Sequence, residues 1–329
     1  MKSFCFLGLG LVLLSPFVSA GRYELRAVDS VTISRDRNFA FYWSTYPYVL
    51  ASNSPLSTYK RCEGALKFDL SKIPDNAKIT SIYLVSHHAL TPKERPIIEL
   101  YWSDDDNWTR KTAKGGSCPP KTLLYRTGEV PGRLGSFILP MDSSRHDFSA
   151  DLKDNVLTLV LRCAKFVPKK ECGVCLGDHK GGGPPTLVIC TGSGHIQTFG
   201  RGGVDSTGTR LRLCATGCPA AGSRVTFRVE CGLDLKAPGV LFFGVSRSSW
   251  GGITLPLDLA SLGAPGNFLY TGLEVGPLAV PNGGGGGSLV VPIPSGSLTG
   301  RFFAQALLFD SKANRLQCVF SNGLDLGIG

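Results

Sequence analysis

The sequence predicts an all-β protein built from two antiparallel, jelly-roll-like β-sandwiches. Three observations lead there. The 329 residues include 41 Gly and 21 Pro, too many backbone breakers for long helices. Short runs rich in β-branched and aromatic residues recur between turn residues. No window of about 12 residues carries a capped amphipathic pattern; only residues 258–262 suggest a single turn. A hydrophobic content of 43% against 18% charge excludes a disordered chain.

Residues 1–20 read as a secretory signal. Lys2 starts it, an apolar run follows from Phe4 to Leu14, and Val18-Ser19-Ala20 offers small residues for cleavage before Gly21. That run is too short to span a bilayer, and no later stretch reaches about 18 uncharged apolar residues. The expectation is therefore a secreted, extracellular or cell-surface protein without a membrane span.

Strand runs follow in order. In the first half they are residues 65–70, 78–85, 96–102, 156–162 and 185–189, with Pro74, Asp75 and Asn76 forming a turn between the first two. In the second half they are residues 224–230, 240–243, 288–293, 302–309 and 316–320. Composition breaks near residues 192–203. Residues 196–329 hold 25 of the 41 Gly and no His, so they offer little titratable chemistry. The expected organisation is a signal over 1–20, a sandwich over 21–192, a Gly-rich linker over 193–204 and an accessory sandwich over 205–329. Within the last, residues 283–287 are all Gly and read as a flexible hairpin loop.

Apart from Cys5 in the signal, ten cysteines remain. Cys62, Cys118, Cys163, Cys172, Cys175 and Cys190 fall in the first half; Cys214, Cys218, Cys231 and Cys318 fall in the second. Two even sets fit disulfides closed within each half in an oxidising compartment. For the second set the expected pairs are Cys214–Cys218 and Cys231–Cys318, because Cys231 and Cys318 each sit in a strand-like run.

The stretch Gly64-Ala-Leu-Lys-Phe-Asp-Leu-Ser-Lys-Ile-Pro-Asp-Asn-Ala-Lys-Ile-Thr-Ser-Ile-Tyr-Leu84 resembles the DNRLRE-type domains of bacterial secreted proteins. The likeness extends through Trp102 and Asn107-Trp-Thr109. It returns at Asp147-Phe-Ser-Ala-Asp-Leu152 and at Pro184-Pro-Thr-Leu-Val-Ile189, covering about residues 22–191. It implies a jelly-roll-like sandwich without catalysis, related to alginate-binding carbohydrate-binding modules. Residues 249–270, beginning Ser249-Trp-Gly-Gly-Ile-Thr254, are similar to a C-terminal β-domain of exported planctomycete-like proteins. That likeness carries no activity.

The candidate ligand site is an aromatic cluster flanked by cations. Tyr42, Trp43, Tyr46 and Tyr48 stand near Arg35, Arg37, Lys60 and Arg61. Aromatic faces stack on sugar rings, and Arg forks pair with uronate or sulfate groups. These rings could instead fill the sandwich core. Cys172-Gly-Val-Cys175 beside His179 could open a zinc or redox site, but no second close pair accompanies it, which favours structural disulfides. Asp104-Asp-Asp-Asn107 is dense enough in oxygen to hold calcium, the one cofactor the sequence suggests, although no EF-hand spacing is present.

Ser143-Ser-Arg-His-Asp147 places Ser, His and Asp side by side, whereas triads draw on residues distant in sequence. The adjacent His87 and His88 would face opposite sides of a strand. No catalytic or metal-binding set stands out. The formal charge of +10 is dispersed without a basic stripe, which argues against nucleic acid. The expected function is non-catalytic binding of an acidic extracellular polysaccharide. The alternatives are a structural or adhesive surface protein, or a polysaccharide lyase.

Overall fold

The computed structural model describes residues 21–35, 39–41, 49–53, 61–87, 97–129, 136–164, 173–176, 184–233, 239–281, 286–296 and 299–329. The protein is all-β and antiparallel. Its first half contains β1 (Gly21–Ser34), β2 (Phe39–Phe41), β3 (Val49–Asn53), β4 (Arg61–Asp69), β5 (Ile79–His87), β6 (Ile97–Ser103), β7 (Thr122–Glu129), β8 (Ser136–Met141), α1 (Ser149–Asp154), β9 (Val156–Cys163), β10 (Gly173–Leu176) and β11 (Thr186–Thr191).

The main strand path runs β7-β6-β9-β4-β1-β11-β5-β8. β1 joins its two parts. Residues 21–26 pair with β11, and after a shift between Ala27 and Asp29 the rest pairs with β4. Such a bulge bends a strand, letting one strand serve two facing sheets. Alternate residues then meet inside: Leu66 and Phe68 from β4, Leu84 from β5, Leu100 from β6, Leu159 from β9 and Leu187 from β11, all fully buried. The two ends of the path approach each other, and the Asp142 N–H donates to Leu124 O at 3.4 Å. The meeting of β7 with β8 forms one wall of the site described below.

The second half contains β12 (His195–Phe199), β13 (Arg212–Gly217), β14 (Arg224–Glu230), β15 (Gly239–Gly244), β16 (Ser249–Trp250), β17 (Ile253–Thr254), β18 (Leu257–Asp258), β19 (Phe268–Leu269), β20 (Val275–Val280), β21 (Gly286–Pro292), β22 (Gly300–Phe309) and β23 (Cys318–Ile328). A five-stranded sheet, β12-β23-β22-β15-β20, faces a three-stranded one, β13-β14-β21. Leu213, Phe227, Leu241, Ala304, Leu308 and Leu324 fill the space between. Residues 245–273 leave the sandwich as two short ribbons and one 3-10 turn, Ala260–Leu262, around a small core of Leu255, Leu259, Ala264 and Leu269. Buried Gln305 ties this excursion to β22: its side chain donates to Phe268 O and Ser321 O and accepts from Tyr270 N.

Each of the ten expected strand runs holds a strand, the last beginning at Cys318 rather than at residue 316, and the 3-10 turn falls within residues 258–262. Four expectations need correction. The stretch expected as a linker carries β12, which pairs along its length with β23. The Gly run does not close a hairpin, because β20 pairs with β15 and β21 with β14, so the connection crosses between sheets. Gly286 and Gly287 lie within β21.

The disulfides are not confined to each half. Cys190 of β11 is bonded to Cys218, just beyond β13. Cys214 lies four residues before Cys218 along an extended run, which separates their Cα atoms by roughly 13 Å, beyond the reach of a disulfide. Its thiol turns instead to Arg228 O at 3.6 Å. Cys231 and Cys318 are buried thiols rather than a pair, and Cys231 Sγ faces Leu233 O at 3.8 Å.

Candidate functional site at the seam of the two sandwiches

β7 and β8 of the first sandwich face β12, β13 and residues 200–210 of the second. Between them runs a groove of about 670 Å³. Among the described residues five arginines line it, Arg126, Arg145, Arg201, Arg210 and Arg212, with Asp142 as the one lining carboxylate. Edge positions explain this wall. β7 pairs only with β6 among the described residues, so its outer side meets the second sandwich.

A buried cluster fixes the two walls together. The Tyr125 hydroxyl of β7 lies 3.0 Å from both carboxylate oxygens of Glu230 in β14. The Arg212 guanidinium covers the Tyr125 ring at 4.7 Å. Burial first, and then the nearby Glu230 charge, hold the Tyr125 phenol well above its ordinary pKa. It therefore remains a hydrogen-bond donor at any physiological pH. The Cys190–Cys218 bond is a second tie across the same seam.

Charge within the groove is partly compensated. Arg126 pairs with Glu99 at 3.2 Å and Arg145 with Asp142 at 3.3 Å. Arg212 stands with the cluster around Glu230. Arg201 and Arg210 remain, and neither makes an ion pair among the described residues.

Local backbone chemistry holds these two in place. Gly200 has φ +67, and a Cβ there would strike the Tyr270 ring at 2.4 Å, so only glycine fits. The Tyr270 hydroxyl then accepts from Arg201 N at 3.0 Å and lies 3.2 Å from Arg201 O. Arg210 donates to Gly202 O. Buried Asp205 accepts from Thr207 N at 2.9 Å, Thr209 N at 3.0 Å and Gly232 N at 2.7 Å, closing the turn between the two arginines.

The residues singled out from sequence fare differently. Tyr42, Trp43, Tyr46, Tyr48, Arg37 and Lys60 lie outside the described residues, as does the side chain of Arg61. Arg35 is described, and its guanidinium is fully engaged. Nε and Nη2 meet Glu63 at 2.7 and 2.6 Å, Nη1 reaches Gly115 O and Ser117 O, and Nη2 reaches Cys118 O. A guanidinium has five N–H donors, and these contacts use them to anchor residues 115–118. Arg35 has no donor left for a ligand.

The acidic run is likewise built into the fold. Asp104 pairs with Lys121 at 3.5 Å, Asp105 accepts from Cys118 N at 2.8 Å, and Asp106 accepts from the Thr158 hydroxyl. No group of three His, Cys, Asp or Glu side chains suited to a metal occurs among the described residues. Cys172, His88 and His179 fall outside the described residues, and so do the side chains of Cys175 and His87. In the Ser143–Asp147 stretch, His146 bonds Asp151 at 2.8 Å rather than Asp147. Burial pushes the Cys214 thiol up to about 12 and the Cys231 thiol up to about 11, so neither is a thiolate nucleophile near neutral pH.

No protein-family model matches the chain, and no curated protein matches it.

Proposed function

We propose that the protein is an exported, non-catalytic binding protein for an acidic extracellular polysaccharide, held at the seam of the two sandwiches. The observation that carries this reading is the groove, where Arg201 and Arg210 make no ion pair among the described residues, beside Arg126 and Arg145, which are paired, and Arg212, which lies over the Tyr125 ring. Guanidinium forks match carboxylate and sulfate groups in plane and spacing. A cavity of this size suits a short run of sugar units, and an open groove lets a polymer continue beyond it. The signal-like residues 1–20 agree with encounter outside the cell.

Binding of alginate, dextran sulfate and neutral dextran to the full chain tests this. The two anionic polymers should bind and weaken as salt rises, while neutral dextran should not bind. The double variant Arg201→Gln/Arg210→Gln should lower alginate affinity about tenfold. Binding of neutral dextran as tight as that of alginate, or an unaffected double variant, would contradict the reading.

A further inference from the structure

The groove does not end at β13. Pro140 of β8, with Cys214 and Ala215 of β13, lines both the groove and a smaller recess of about 210 Å³. The floor of the recess is the three-stranded sheet β13-β14-β21, which presents Thr216, Thr226, Arg228 and Ser288 to it.

Strand register explains why these side chains share a surface. Cys214 stands opposite Arg228, and Arg228 opposite Ser288; Thr216 stands opposite Thr226. Residues opposite one another in a sheet point to the same face, and alternate residues along a strand return to it. Leu213, Val225, Phe227 and Val229 take the other face and fill the core of the second sandwich. Arg212, which lines the groove, stands opposite Glu230. The rung of Arg228 follows that one at roughly 7 Å along the strands.

Donors in the recess are unspent. Arg228 is the one charged side chain that lines it among the described residues. Its ion-pair contact runs from Nε to Glu230 at 3.7 Å, and both oxygens of Glu230 lie 3.0 Å from the Tyr125 hydroxyl. The terminal nitrogens of Arg228 make no hydrogen bond among the described residues. Thr216 is only 8% exposed and lines the recess, and its hydroxyl makes no hydrogen bond among the described residues either. A hydroxyl drawn that far out of bulk water without a partner is costly. The hydroxyls of Thr226 and Ser288 are likewise unengaged among the described residues.

We infer that the recess is a second subsite of the groove, holding a further uronate unit of the polysaccharide seated at Arg201 and Arg210. This rests on the groove reading and deepens it: the ligand is recognised as a run of acidic sugars rather than as one anion. The Arg228 fork pairs with the carboxylate of that unit. The Thr216 and Thr226 hydroxyls, each a donor and an acceptor, meet its ring hydroxyls.

Uronate disaccharide and hexasaccharide prepared from alginate test this by calorimetric titration of the full chain. The native chain should bind the hexasaccharide about tenfold more tightly, because the longer ligand fills both subsites. Arg228→Gln and Thr216→Val should each weaken the hexasaccharide about fivefold. Both should leave the disaccharide unchanged, since it is held at Arg201 and Arg210. Arg224→Gln removes an equal charge from the same face outside the recess, and should leave both affinities within about twofold. Equal native affinity for the two oligomers overturns the recess. So does a native-like hexasaccharide affinity in Arg228→Gln and Thr216→Val, or an equal drop in Arg224→Gln. If Arg201→Gln/Arg210→Gln still weakens both oligomers in that case, the groove reading stands alone. A native chain that binds neither oligomer overturns the groove reading and the recess with it.

Discussion

The groove and a second cleft of about 570 Å³ share β12 and the segment after β8 as a common wall, yet they handle charge in different ways. Ile196, Thr198, Asp142 and Arg145 line the groove, whereas His195, Gln197, Ser143 and His146 line the cleft. On the groove side, arginines outnumber acids, and Arg201 and Arg210 keep their charge at every accessible pH. On the cleft side, Lys78 and Arg301 stand beside Asp147, and His146 and His195 each bond a buried aspartate. A strand with period two lets one short element present two different surfaces. The comparison shows that cations suit a ligand only where the fold leaves donors unused. Arg35, its guanidinium fully engaged by Glu63 and three carbonyls, makes the same point from inside the first sandwich.

Both surfaces need the sandwiches held in register, so breaking the seam should give the largest effect. Replacing Cys190 and Cys218 together by Ala removes a link that closes a loop with sequence separation 28. The expected loss is about 3–4 kcal/mol of stability, read from the denaturant midpoint. Unchanged stability would show that the seam is held by packing alone. Tyr125→Phe comes next. It deletes the hydroxyl shared by both oxygens of Glu230 and leaves that carboxylate underbonded, at a cost of about 2 kcal/mol. A denaturation curve identical to the native one would remove this cluster from the account.

Much of the fold is legible in the sequence for a physical reason. Runs such as residues 224–230 alternate because one face is buried, and that burial pattern is what the structure shows. Reasoning from sequence also passed over β1 and β13, whose burial is patterned, whereas two others it missed lack such a signal. β20 contains Gly276 and Pro277 and exposes five of its six residues, so no buried face imposes a pattern. β12 is short, flanked by Gly194 and Gly200, and so resembles a linker. Its alternation of His195, Ile196, Gln197 and Thr198 was the one available clue.

The groove was less legible still. Its arginines come from residues 126 to 212, and they converge only because β7 and β8 meet the second sandwich. The Cys190–Cys218 bond hid for the same reason: it crosses the composition break that separates the halves.

Smaller effects sharpen the comparison further. Arg201→Gln/Arg210→Gln should cost about 1 kcal/mol of stability, since neither residue makes an ion pair among the described residues but Arg210 gives up its hydrogen bond to Gly202 O. A melting curve beside a binding curve would separate this small cost from the loss of binding. Lys78→Gln, on the cleft side, should leave alginate affinity at pH 7.5 within about threefold of the native value. A larger drop there would merge the two surfaces into one site.

The most direct measurement is a calorimetric titration of the full chain with alginate at neutral pH, beside the Arg201→Gln/Arg210→Gln variant. Saturable binding that weakens about tenfold in the variant is the result expected of a seam groove that grips an acidic polymer. Native-like binding by the variant, or none by the native chain, would contradict it.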